Sequence, residues 1–90
     1  MKTVQVRIEG RVQGVYFRDY TRREALKQGV DGWVRNLPDG SVEAVISGSD
    51  KAVEAMLDWF QIGSPHAVVR AVKVKDVVPP REFPGFDIRF

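Results

Sequence analysis

"GWVRNLPDGSVEAVIS", Gly32 to Ser47, sets two β-rich runs on either side of Pro38-Asp39-Gly40. Proline presets φ for a turn, aspartate tolerates the turn conformation, and glycine accepts φ > 0. The stretch therefore reads as a β-hairpin, with Asn36 near the end of the incoming strand and Ser41 opening the outgoing one. Upstream, Phe17, Thr21 and Ala25 recur at i, i+4 and i+8, which predicts a helix from about Arg18 to Gln28 with Gly29 at its C′ position. Before that helix, "TVQVRIE" alternates. Val4, Val6 and Ile8 take one side and Gln5, Arg7 and Glu9 the other, the period of a half-buried strand.

Downstream the same order repeats. Ser49 is placed to cap a second helix whose apolar stripe is Val53, Met56, Leu57 and Phe60, and Gly63 and Pro65 stop it. "VVRAVKVKDVV" makes a fourth strand with Val72 and Val74 on one face, "PPREFPG" is a breaker-rich loop, and "FDIRF" alternates as a short final strand at an edge. The order β-α-β-β-α-β plus a terminal strand predicts an α+β, ferredoxin-like sandwich, an antiparallel sheet with two helices on one face, as one domain over residues 1–90. No internal repeat, low-complexity segment or linker interrupts it. That architecture hosts enzymes, RNA binders, metal carriers and regulatory modules alike, so function has to come from a site.

Composition narrows the choice. The 90 residues contain no cysteine, which excludes disulfides, thiolate metal sites and cysteine nucleophiles and suits a reducing compartment. The N-terminal "MKTVQVRIEG" has no apolar h-region, and no apolar run approaches the ~18 residues of a membrane span, so a soluble, cytoplasmic protein is expected. Fourteen basic residues against 12 acidic ones leave a net charge of +2, spread without a block of like charges. RNA binders of this architecture stack bases on aromatics of the first and third strands, and "TVQVRIE" and "SVEAVIS" contain none; no nucleic-acid partner is expected. The only histidine, His66, has no second histidine for a ligand set, and no metal site is expected. A serine-histidine-acid set, a G-x-S-x-G elbow and a Walker A loop are all absent.

What remains is "GRVQGVYFR", Gly10 to Arg18, a glycine-flanked loop between a strand and a helix start. Unpaired amides and the dipole at a helix N-terminus favour an anion, and a glycine loop can curl its own amides towards the same point. Arg18 at the junction can close such a cradle with a two-pronged guanidinium contact. Equally, Arg18 can be a surface residue paired with Asp19 or Glu24. Asn36 has two readings as well. It is either a local turn-former or a group that orients a water molecule, since its side chain both donates and accepts. It cannot serve as a general base.

"GRVQGVYFR" resembles the signature loop of the acylphosphatases, and "GWVRNLPDGSVEAV" resembles that family's second signature, in the same order and separation. The "GSPHAVVRAVKV" run and the terminal F-x-I-R-aromatic fit as well, so the resemblance covers essentially the whole chain. It implies a small, cofactor-free hydrolase cleaving the carboxyl–phosphate bond of acyl phosphates, with inorganic phosphate as product and competitive ligand. By resemblance Arg18 is the phosphate-binding catalytic arginine, and the amides of Arg11, Val12, Gln13, Gly14 and Val15 hold the other phosphoryl oxygens. Asn36 positions the attacking water, and Ser41 supports the asparagine. Tyr16 fills a variable slot, and Phe90 stands where many members have tyrosine, so any role for a terminal phenol is lost.

The implied chemistry suits what the chain lacks. A carboxylate leaving group needs no general acid, and phosphoryl transfer through a loose transition state asks mainly for positioning and charge stabilisation. The substrate's own phosphate is then the proton acceptor for water. Three alternatives compete: a non-catalytic anion-binding module on the same fold, a nucleic-acid binder, and a domain of a larger carbamoyl-processing protein. Starting at Met1 and finishing with a final strand, the chain reads as free-standing; a monomer is expected, although an exposed final strand can pair. The physiological acyl group is not legible.

Overall fold

The Pro38-Asp39-Gly40 turn closes as its residues predict. In the computed structural model, which describes residues Met1–Phe90, Leu37 N donates to Ser41 O at 2.8 Å and Gly40 N to Leu37 O at 3.1 Å. The Asp39 carboxylate accepts from Ser41 N at 2.9 Å and Ser41 Oγ at 2.6 Å. Around this hairpin the elements run β1 (Lys2–Arg11), α1 (Phe17–Gln28), β2 (Asp31–Asn36), β3 (Val42–Gly48), α2 (Asp50–Phe60), β4 (Val68–Asp76) and β5 (Phe86–Arg89). Helix α1 starts one residue before the predicted boundary, and Gly29 ends it in the left-handed conformation. Ser49 caps α2 by accepting from Ala52 N at 3.1 Å.

The sheet order is β4-β1-β3-β2-β5. The four strands of the βαββαβ plan pair antiparallel, with Val6 facing Ala44 on one side and Val74 on the other, and Asn36 facing Val42 across the hairpin. The terminal strand does lie at an edge, and it pairs parallel to β2. Its direction follows from its route. β4 occupies the opposite edge, so the chain crosses the sheet through residues 77–85 before it pairs again. Two hydroxyls staple that crossing. Ser47 Oγ donates to Arg81 O at 2.6 Å, Arg81 N donates to Thr3 Oγ1 at 2.8 Å, and the two hydroxyls lie 2.9 Å apart.

Alternation decides which face is covered. Val4, Val6 and Ile8 of β1 are fully buried, together with Val42, Ala44 and Ile46 of β3 and Val34 of β2. They meet Phe17, Thr21 and Ala25 from α1 and Val53, Met56 and Phe60 from α2, the residues that the helical spacing selected; Leu57 packs at the margin. Each large apolar side chain taken out of water contributes about 1.5–3 kcal/mol. The other face carries polar ladders. Gln5 Nε2 donates to Glu43 at 2.6 Å, Arg35 Nε donates to the same carboxylate at 2.7 Å, and Lys73 pairs with Glu9 at 3.0 Å. Exposed pairs of this kind are each worth roughly 0–1 kcal/mol, so the buried face holds the fold. No helix is long and apolar enough to cross a membrane.

At the end of β1 the pairing with β4 shifts register between Glu9 and Gly10, and Gly10 adopts φ 133°. A Cβ there collides with the carbonyl oxygen of Val68. This bulge turns the chain out of the sheet and into the loop before α1. Gly10→Ala is therefore expected to cost about 1–3 kcal/mol, read as a lower urea midpoint; an unchanged midpoint would show that the bulge accommodates a side chain.

Candidate active site

The loop of residues 12–16 joins β1 to α1 at the sheet end that also carries the hairpin turn. Val12 and Val15 sink into the core while Gly14 and Tyr16 point outward, so the segment is pinned at two apolar points with its backbone exposed between them. Gly14 has φ 73° with nothing near the position of a Cβ, so glycine is needed there for backbone conformation and not for space. The amides of Val12, Gln13, Gly14 and Val15 pair with no backbone carbonyl. Tyr16, also left-handed at φ 58°, caps α1 without a side-chain hydrogen bond. Loop and first helical turn thus present a run of donors at the positive end of the helix dipole. Arg11 belongs to β1, opposite Val68, and the loop proper begins after it.

The side chain of Gln13 joins the loop to the hairpin. Its Nε2 donates to Leu37 O at 2.8 Å and to Ser41 O at 2.9 Å. The sequence reading used Gln13 only for its amide. No local pattern marks a glutamine whose partners lie in another loop. Ser41 is buried, and its hydroxyl is committed to Asp39, so it holds the turn that follows Asn36 and does not bond Asn36 directly. The turn itself is organised by Asp39, which leaves the Asn36 side chain free of that task.

Arg18 forms an ion pair with neither Asp19 nor Glu24. Glu24 accepts instead from Gln28 at 2.7 Å. The Arg18 guanidinium donates through Nη1 to Arg89 O at 3.0 Å and lies 4.6 Å from the centre of the Phe90 ring. One edge of the guanidinium is thereby anchored to the end of the chain. Arg18, from the start of α1, and Asn36, from the end of β2, open onto one cleft of about 590 Å³. Val12, Gly14, Tyr16, Phe17, Asp19, Ile88 and Phe90 complete its lining. Outside this cleft no three histidine, acidic or cysteine side chains converge as metal ligands, and none do within it.

A guanidinium, loop residues whose amides have no carbonyl partner and an amide side chain around one cleft are groups of the kind that suit an oxyanion. The family model for acylphosphatase matches residues 4–88. The chain belongs to the acylphosphatase family. An acylphosphatase of Thiobacillus denitrificans (strain ATCC 25259 / T1) is 54% identical over 89 residues, covering 99% of this chain and 98% of that protein. One from Synechococcus sp. (strain JA-2-3B'a(2-13)) is 58% identical over 86 residues, covering 96% and 90%. The crystal structure of acylphosphatase from Bacillus subtilis superposes with a TM-score of 0.96 at 32% identity, over 100% of both chains. Acylphosphatases hydrolyse acyl phosphates, and the cleft is where this member carries the cationic and amide groups described above.

Because Gln13 alone bridges loop and hairpin by hydrogen bonds, its removal has a local signature. Gln13→Ala is expected to lower stability by about 1–2 kcal/mol and to speed amide exchange in residues 12–16 and 37–41. Unaltered exchange in both segments would show that the two apolar anchors suffice.

Proposed function

We propose that the chain cleaves the carboxyl–phosphate bond of acyl phosphates by direct attack of water. The observation that carries this reading is that Arg18, Asn36 and the loop residues Val12 and Gly14, whose amides pair with no backbone carbonyl, line one cleft. The amides and the guanidinium hold the three peripheral phosphoryl oxygens. Asn36 accepts from the attacking water and orients its lone pair towards phosphorus. The water oxygen bonds to phosphorus as the bridging P–O bond breaks, and that electron pair leaves on the carboxylate. A water proton passes to a phosphoryl oxygen, giving inorganic phosphate and the free acid anion.

Each step draws on a group that lines the cleft or on the chemistry of the substrate. A carboxylate leaves without protonation, so no general acid is called for. Charge on the phosphoryl oxygens is met by donors already fixed in place, which is where such stabilisation is most effective. The Arg89 carbonyl and the Phe90 ring hold the guanidinium in orientation before substrate arrives, which limits the side-chain entropy lost on binding. No step is assigned to a metal or cofactor, and the chain is read as acting alone in the cytoplasm.

Three variants separate the roles. Arg18→Ala is expected to lose inhibition by inorganic phosphate and to lower kcat/KM for benzoyl phosphate by about 10²–10³-fold or more. Arg18→Lys is expected to fail nearly as badly, since an ammonium does not reproduce the fork. Asn36→Ala is expected to keep phosphate inhibition while kcat drops about 10²-fold; a near-normal kcat would remove water positioning from Asn36. Phosphate binding with no turnover in the wild type would reduce the site to an anion-binding module. Turnover is also expected to survive EDTA, and activity restored only by Mg²⁺ would contradict the proposed steps.

A further inference from the structure

The groups assigned to phosphate and water account for only part of the cleft. Tyr16, Ile88 and Phe90 line it too, and their side chains are largely apolar. Tyr16 is 73% exposed and Phe90 100% exposed, so the cleft mouth carries two solvent-accessible aromatic side chains. Tyr16 is also the only residue other than glycine with positive φ. A bulky side chain in the left-handed region is strained, and strain of that kind gathers where a side chain must point in a set direction. The Phe90 ring centre lies 4.6 Å from the guanidinium proposed to grip phosphate. An acyl group is separated from phosphorus by a single bridging oxygen, so it lies within reach of this ring.

Charge at the mouth is asymmetric as well. Asp19, next to Arg18, lines the same cleft, is exposed and takes part in no ion pair.

We propose that Tyr16 and Phe90 form an acyl-group subsite with Asp19 as its charge filter, so that the cleft takes neutral, planar apolar acyl groups and discriminates against acyl groups bearing a second carboxylate. This rests on the reading of the cleft as an acyl phosphate site. Flat apolar groups gain area and ring contacts against these aromatics, whereas a distal carboxylate meets the like charge of Asp19.

The test compares kcat/KM for acetyl, benzoyl, 4-carboxybenzoyl and 4-carbamoylbenzoyl phosphates. In the wild type the carbamoyl substrate is expected to exceed its carboxy counterpart by about threefold or more, a measurement that needs no variant. Asp19→Asn should shrink that gap. Tyr16→Asn, which keeps a residue tolerant of the left-handed conformation, should lower the benzoyl-to-acetyl ratio about tenfold. Inhibition by inorganic phosphate, measured in parallel, reports that each variant retains a folded cleft. Equal loss for benzoyl and acetyl phosphates, or no gap between the carboxy and carbamoyl substrates, would overturn the subsite while leaving hydrolysis intact. No turnover of any of the four would overturn the hydrolase reading itself.

Discussion

Gln13 donates two hydrogen bonds across to the carbonyls of Leu37 and Ser41, and the geometry of the cleft depends on that tie. The loop and the hairpin turn are each local structures, but neither is a site alone. Their common location comes from the sheet. β1 pairs with β3, so the end of one strand and the beginning of the other meet at the same edge of the core. Val12 and Val15 set the depth of the loop, and Gln13 sets its distance from the turn. Functional loops work when a rigid scaffold fixes them, and here the scaffold is a fully buried valine and isoleucine face under two helices.

Much of this was legible in the sequence, because it is written in period and punctuation. Alternation at Val4, Val6 and Ile8, the helical recurrence of Phe17, Thr21 and Ala25, and the Pro38-Asp39-Gly40 turn are local signals, and each matched an element. The illegible parts are contacts between segments far apart in the chain. Nothing in "FDIRF" states that it pairs parallel to β2. Nothing near Thr3 or Ser47 predicts that both hydroxyls hold Arg81. Arg18 had acidic neighbours close by in sequence, yet its partner is the carbonyl of Arg89, at the other end of the chain. Glu24 turned along its own helix to Gln28. The residues of the cleft were visible as types at a spacing, whereas the groups that orient them were not.

The two faces of the sheet divide the energetics. Burial on the helix side carries stability, and the opposite side holds polar pairs, Gln5 and Arg35 on Glu43 and Lys73 on Glu9, which contribute little each. The end of the sheet between them is where backbone donors are left without carbonyl partners. Unpaired amides are unfavourable when buried, and those of Gln13 and Gly14 lie in the part of the loop that is not buried, where an anion can replace water. The fold thus brings unmet hydrogen-bonding capacity and an anchored guanidinium to one end of the sheet.

That concentration can be observed without chemistry. Inorganic phosphate titrated into ¹⁵N-labelled protein should shift the amide resonances of Val12, Gln13, Gly14 and Val15 and the Arg18 Nε resonance along one common saturation curve. Shifts confined to other lysines and arginines, or a loop that stays unmoved while phosphate binds, would contradict the cradle on which the account rests.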